Sequence, residues 1–499
     1  MKRKYLYSNY GFLLLISFFI LHQWNEYKNL VTVYDILQTT FLLILFSIVY
    51  FGVSVLVMRD KRQAGVFTTF SLLLFLFYGT LSSFLIETVR IVSNGAACIF
   101  IVLGLICLAF FVIRRRQSGW TKLTLYFNSL FIILIFAELM TSVVYSLRTQ
   151  NQVKKDLFFL NSIKAVEKKM PSVYLIVLDE YSGNETLEKS NFSNQKFLSG
   201  LSSEGFRIVR NAHSNYNSTI PSIASLFSCN YVGDSLWKNP YSTEGYVKWL
   251  SEIKNNQVIS MFKKLGFEIK NYSPFPIEAS GKTYNTRFIP THTTLIVSNT
   301  IFDDIIELTP LFIARRIGSD NVMKRMLLNI GRDNFTAIEQ VLKDVDKQKK
   351  EPVFCYTHLM MPHPPFIMDS LGNVNVDYFR RANLSQAEKN NTYLQYLRYT
   401  NDIVLNLVKH IKAGTKGESV IILMSDHGSR FLAEGLNGDE SFNSLNCVYM
   451  PPGFSADFYD GMTNVNQFRI LFSSLLDAKL PLLKDSIVYS GPKPEQSFR

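Results

Sequence analysis

Four polar clusters beyond residue 170 combine side chains that could do chemistry together. Asp179-Glu180 directly follows the apolar run Val173–Leu178. Two carboxylates at the end of a buried strand are costly unless something pairs with them, and a divalent cation is a natural partner. Alone, the pair reads more readily as a helix cap or a turn acid. The second cluster runs from Tyr216 to Phe227, YNSTIPSIASLF. Thr219 fits an N-cap there, with Pro221 in the first turn of a helix. A hydroxyl at a helix N-terminus lies in a positive field, which stabilises an alkoxide and a bound phosphoryl oxygen. Alone, it reads as a structural cap. The third cluster, Ser425-Asp426-His427-Gly428, follows the apolar run SVIILM. A carboxylate beside an imidazole suits zinc or manganese. The fourth holds His358 and His363 in HLMMPHPPF, after FCYT. Three prolines stiffen that loop and present His363 rigidly. A histidine so placed can hydrogen-bond an anionic group or protonate a leaving group. Either histidine could instead be structural, and His363 is the stronger functional candidate.

Singly, each cluster has a bland explanation. Together they set one hydroxyl beside metal-type ligands, which is what a metal-activated nucleophile requires.

The elements that must position these groups are legible as α/β texture from Pro171 onward. Val173–Leu178, Phe206–Val209, Phe267–Tyr272, Val353–Thr357 and Ser419–Met424 read as strands. Asn194–Ser203, Asn334–Gln348 and Thr392–Lys412 read as helices. In open α/β sheets ligands bind at the carboxyl ends of strands, and three of the clusters follow strands. Residues 276–330 are irregular and suggest no element. No internal repeat or low-complexity segment stands out.

The first third is different. Of the 499 residues 47% are hydrophobic and the mean hydropathy is +0.10, with the apolar residues crowded toward the N-terminus. Five runs approach the roughly 20 residues a bilayer requires: Asn9–Trp24, Asp35–Met58, Ala64–Ile86, Ala96–Ile113 and Leu123–Leu147. Lys2, Arg3 and Lys4 precede the first. Arg59, Lys61 and Arg62 follow the second, and Arg114, Arg115 and Arg116 follow the fourth. Every second loop is basic, which places the N-terminus in the cytoplasm and everything after Leu147 outside. Within the spans Glu138 stands nearly alone as an ionisable residue, which disfavours a transport pathway. Residues 1–150 hold 13 Lys and Arg against 5 Asp and Glu, so they carry most of the net charge of +12. That excess is a topology signal and gives no reason to expect nucleic acid as a partner. The remainder is mildly basic and compatible with an anionic lipid surface.

The expected organisation is a helical membrane domain over 1–148, an amphipathic juxtamembrane linker over 149–170, and an outer domain over 171–499. Five cysteines are too few for a disulfide scaffold. Cys229, Cys355 and Cys447 fall in the outer domain, where one pair could form.

These clusters, in this order, resemble the alkaline phosphatase/sulfatase superfamily. Its membrane-anchored branch, with lipoteichoic acid synthases and phosphoethanolamine transferases, is the most similar and also places about five spans before the catalytic domain. The resemblance rests on Asp179 in LIVLDEYSG, on Thr219, Ser222 and Leu226-Phe227, on His363-Pro364, and on Asp426-His427-Gly428. It implies that Asp179, Thr219, Asp426 and His427 bind one zinc or manganese ion, with Glu180 as a further ligand. It implies that Thr219 forms a phosphoryl-enzyme intermediate and that His363 contacts the phosphoryl group; His358 and Arg430 are further candidate substrate contacts, Arg430 in place of a later histidine. Sulfatases carry Cys or Ser in a Cys/Ser-x-Pro-x-Arg pattern. This chain has Thr219-Ile220-Pro221-Ser222-Ile223 instead, and a threonine cannot supply the formylglycine aldehyde. Phosphoethanolamine transferases carry a further histidine after Asp-His-Gly, and no histidine follows His427 here.

The expected function is therefore transfer of a phosphoryl-alcohol head group from a membrane lipid donor to an envelope glycan or lipid. The setting would be a bacterial plasma membrane, with the catalytic domain outside. Two alternatives are a tethered hydrolase of phosphate or sulfate esters and a catalytically silent envelope assembly protein.

Overall fold

The computed structural model describes residues 9–28, 30–86, 95–116, 118–149, 169–232, 243–279, 292–303, 305, 318–347, 351–381, 384–433 and 438–490. The expected juxtamembrane helix falls almost wholly on 150–168, outside the described residues. The chain divides into two compact units. One holds Met1–Lys155 with Pro290–Ile313, and the other holds Asp156–Ile289 with Ala314–Arg499.

In the first unit all five apolar runs are helical: Gly11–Glu26, Val33–Met58, Lys61–Leu76 with Tyr78–Phe84, Gly95–Arg115 and Trp120–Thr149. Among the described residues three of these helices are long and apolar enough to cross a membrane: Val33–Met58, Ala97–Arg115 and Trp120–Val144. The pair Lys61–Leu76 and Tyr78–Phe84, bent by 64°, makes a fourth if it is one span. The first helix has only 16 residues, so five full spans are not reached by length. The Val33–Met58 helix starts on a capping box between Thr32 and Asp35, and it exposes Phe41, Leu42, Leu45, Val49 and Leu56 along its length. Two basic loops meet at one end of the bundle. Arg62 Nη1 donates to Thr121 Oγ1 at 2.9 Å, and Gln63 Nε2 donates to the Arg116 carbonyl at 3.2 Å.

Glu138 has partners that its sequence position did not suggest. His22 Nδ1 lies 2.8 Å from its Oε1, and Asn25 Nδ2 donates to its Oε2 at 2.7 Å. The first helix therefore packs on Trp120–Thr149 through a polar knot as well as through the stacked rings of Phe18 and Phe131.

The second unit is built on a mixed six-stranded sheet of order β2-β6-β5-β1-β4-β3. Its strands are β1 Val173–Leu178, β2 Arg207–Ile208, β3 Glu268–Tyr272, β4 Val353–Leu359, β5 Val420–Ser425 and β6 Asn446–Tyr449. Every residue of β1, β4, β5 and β6 is buried, which is why β1 and β5 read as near-continuous apolar runs. Strands β5, β1, β4 and β3 are parallel, and β6 runs antiparallel to β5. The long helix Gln386–Gly414 begins on a Ser385–Glu388 capping box and buries Tyr393, Tyr396, Leu397, Thr400, Val404, Leu407 and Ile411 along one stripe. All five cysteines are free, so no disulfide forms among Cys229, Cys355 and Cys447.

Candidate metal centre

Register alone brings the two key carboxylates together. Leu178 pairs with Ser425, so Asp179 and Asp426 are each the next residue on adjacent parallel strands. His358 pairs with Val177, which puts it on the same face as Asp179 by the alternation of side chains along a strand. The helix Thr219–Ser228 packs over this face, and the Phe227 ring meets the Tyr356 ring edge-on at 4.9 Å. Its N-cap is Ser218, so Thr219 is the first helical residue rather than the cap expected from the sequence. Helix geometry leaves the first N–H groups without intrahelical partners, and Pro221 has no N–H to orphan. Thr219 is half-buried at this positive end.

The side chains converge. Thr219 Oγ1 donates to Asp179 Oδ2 at 3.4 Å and lies 3.3 Å from His427 Nε2. Ligand atoms of Asp179, Asp426 and His427 lie within 4.8 Å of one another, and all three residues are fully buried. Asp179 Oδ1 and Asp426 Oδ2 have no hydrogen-bond partner. A buried acceptor left unpaired costs about 1–3 kcal/mol, and more when charged. His427 Nδ1 faces the Gly428 carbonyl at 2.8 Å. A proton on Nδ1 leaves the Nε2 lone pair directed into the cluster, the usual arrangement of a metal-bound histidine. The residues present therefore fit a divalent cation.

Neighbouring groups hold this arrangement. Asp426 Oδ1 accepts from the N–H groups of Glu180 and His427, at 3.0 and 2.8 Å. Glu180 has φ 61°, a left-handed conformation uncommon for a residue with a side chain. The Tyr393 hydroxyl pins this turn by donating to the Glu180 carbonyl and accepting from Ser182 N–H, both at 3.0 Å. Gly428 is required by packing, because a Cβ there would lie 2.3 Å from the Asn443 carbonyl oxygen.

The two aspartates titrate in opposite directions. Burial pushes Asp179 up, but His363, His358 and His427 together outweigh it and hold its carboxyl well below the usual range. Burial raises Asp426, and the charge on Asp179 adds to that. The charge on Asp179 thus disfavours charge on Asp426, and positive charge supplied between them would relieve that conflict.

The other expected site residues fall around this core in distinct places. Glu180 lies outside the group of converging ligand atoms. Its Oε1 accepts from Arg430 N–H at 2.8 Å and Nε at 3.3 Å, and its Oε2 is 3.8 Å from His363 Nε2. Arg430 thus holds the Oε1 of the expected ligand. His358 is not at the surface where a substrate could reach it. Its side chain is fully buried between the Tyr356 hydroxyl at 2.9 Å and Asp179 Oδ2 at 3.3 Å. His363 keeps more exposure, with Nδ1 held 2.5 Å from the Pro364 carbonyl. The Arg430 side chain is about half exposed. Sequence reading missed Tyr356 and Tyr393. Tyr356 was detectable in principle, two residues before His358 on the same strand face.

No curated protein matches the chain. Among solved structures, the C-terminal periplasmic domain of EcEptC from Escherichia coli is similar at 12% identity, with 67% of this chain and 94% of that chain covered and a TM-score of 0.41. The soluble domain of lipooligosaccharide phosphoethanolamine transferase A from Neisseria meningitidis aligns at 12% identity over 63% of this chain and 90% of that one, with a TM-score of 0.39. The phosphonate monoester hydrolase of Agrobacterium radiobacter aligns at 12% identity over 62% and 75%, also with a TM-score of 0.39. The sulfatase family model matches residues 171–468, from two residues before β1 to the start of the helix Gln467–Leu475 that follows β6. That match spans more than half of the sequence, and the chain belongs to the sulfatase family.

Proposed function

We propose that the chain is a multi-pass, membrane-anchored phosphotransferase whose domain beyond residue 170 lies outside the cytoplasm. It takes a phosphoryl-alcohol head group from a lipid donor, holds it on Thr219, and passes it to an envelope glycan or lipid. The observation that carries this reading is the place of Thr219 Oγ1, at a helix N-terminus and 3.3–3.4 Å from two members of the carboxylate–imidazole cluster.

Asp179, Asp426, His427 and Thr219 would hold one zinc or manganese ion, which when bound lowers the hydroxyl pKa and offsets charge on the transferring group. The Thr219 oxygen attacks phosphorus as the bond from phosphorus to the lipid alcohol breaks. The departing alcohol takes up a proton. His363 is the candidate donor, because its ring is held by the Pro364 carbonyl at Nδ1 and lies beside Glu180 at the edge of the cluster. Arg430, anchored by Glu180, would neutralise a phosphoryl oxygen. In the second step an acceptor hydroxyl gives its proton back to His363 and attacks the same phosphorus as the Thr219 oxygen leaves. The membrane helices would keep the site near lipid substrates and raise their effective concentration.

The family match favours one second reading, in which water replaces the acceptor and the product is a hydrolysed ester. The unpaired buried acceptors count against a silent scaffold, because keeping them without a ligand only destabilises the fold. The test is turnover of labelled phospholipid donors by the full chain, with and without candidate acceptors. Acceptor-dependent release of diglyceride supports transfer, equal release in water alone supports hydrolysis, and no release from any donor counts against both.

A further inference from the structure

The chain beyond residue 170 returns to the helical unit at Pro290–Ile313. Its described part, 292–303, follows a definite path. His292 Nδ1 lies 3.4 Å from Asp35 Oδ2, in the first turn of Val33–Met58. Ten residues later the Phe302 ring meets Phe46 edge-on at 5.3 Å and Phe75 at 6.0 Å. Phe46 lies eleven residues beyond Asp35 on that helix, which is about 16 Å along its axis. The segment thus runs down beside the helix instead of lying across its end. Leu295, Ile296, Thr300 and Ile301 are buried, and Ile301 packs with Tyr78, Cys98 and Val102.

This path meets a defect in the bundle. The helices Lys61–Leu76 and Tyr78–Phe84 are bent by 64° at Phe77. A broken helix frees backbone N–H groups, and hydrocarbon offers them no partner. Gly79 N–H donates to the Asn299 carbonyl at 2.8 Å. A Cβ on residue 79 would come within 2.9 Å of that oxygen and 3.1 Å of the Asn299 Cα. Glycine is what lets the two backbones approach.

We propose that residues 292–303 are a re-entrant membrane element. They enter the bilayer from the outer side, descend beside Val33–Met58, and seat in the notch of the broken helix, where Asn299 satisfies Gly79. Their partner is the hydrocarbon-facing helical bundle. This rests on the membrane reading of the helical unit and is independent of the catalytic reading. It means that the chain beyond residue 155 is tied to the membrane at both ends of this insertion as well as at its start.

The test is thiol accessibility in the full chain, in sealed vesicles with the outer face exposed. A membrane-impermeant maleimide is applied to Phe302→Cys and to Asp457→Cys, with the parent protein as background. Labelling of Phe302→Cys should be at least about tenfold slower until detergent is added, as burial in hydrocarbon requires. Equal labelling rates would overturn the proposal. Adding Gly79→Val to Phe302→Cys should restore fast labelling while Asp457→Cys stays unchanged, and unchanged slow labelling would remove the notch from the account. If the valine protein fails to accumulate, a Phe46→Cys/Phe302→Cys pair should be captured by a short thiol cross-linker, and failure to cross-link contradicts the docking.

Discussion

Two buried polar clusters sit side by side in the sequence and balance their hydrogen bonds in opposite ways. In the first, the Tyr181 hydroxyl donates to Asn401 Oδ1 at 2.5 Å, Asn401 Nδ2 donates to Asn194 Oδ1 at 2.8 Å, and Asn194 Nδ2 donates back to the Tyr181 hydroxyl at 2.9 Å. The ring is neutral and closed. In the second, which begins two residues earlier at Asp179, Asp179 and Asp426 each keep an oxygen with no donor. Both clusters are buried, so burial of polar groups does not separate structure from function here. The balance of donors and acceptors does. A closed ring fixes one packing arrangement, while an excess of acceptors asks for a cation.

That contrast can be sharpened from either side. The largest effect is expected from Thr219→Ala, which should lower kcat/KM by about a hundredfold or more while the thermal midpoint of the metal-free protein holds. Retained activity would remove the nucleophile from the account. Asp426→Asn should come next. It should weaken metal binding by more than the roughly 10–100-fold typical of losing a group behind the ligands. The thermal midpoint of the metal-free protein should not fall, because asparagine keeps an oxygen for the Glu180 and His427 N–H groups and removes the carboxyl that conflicts with Asp179. A drop in that midpoint without a change in metal content would make Asp426 a structural residue like Asn401. From the other side, Asn401→Leu opens the closed ring and should cost about 1–3 kcal/mol of stability with metal content intact. Loss of metal in that variant would break the distinction between the clusters. The smallest effect is expected from Tyr356→Phe, which removes a partner of His358 and should shift metal affinity by about tenfold or less.

The ends of β1 and β5 were legible because each acid follows a run of apolar residues buried on both faces, and sequence alone marks such strand ends. Thr219 was legible through the Thr-x-Pro pattern, although its place one residue past the cap depends on the backbone of Ser218. The ligand count was less legible. Glu180 sits beside Asp179 in sequence, but its left-handed backbone turns it toward Arg430 and His363. Strand β6 was missed because Asn446–Tyr449 is only four residues long and follows a polar stretch. Its strand character comes from pairing with β5. The return of residues 292–303 to the helical unit carries no periodic signal, since its partners are hundreds of residues earlier. Glu138 likewise looked isolated because His22 and Asn25 approach it from another helix.

The most direct test of the central claim is the intact mass and metal content of the full chain in detergent after incubation with phospholipid donors. A head-group phosphoryl adduct on Thr219 is expected, lost in Thr219→Ala, with about one equivalent of zinc or manganese per chain. An unmodified chain that binds neither metal at any donor would contradict it.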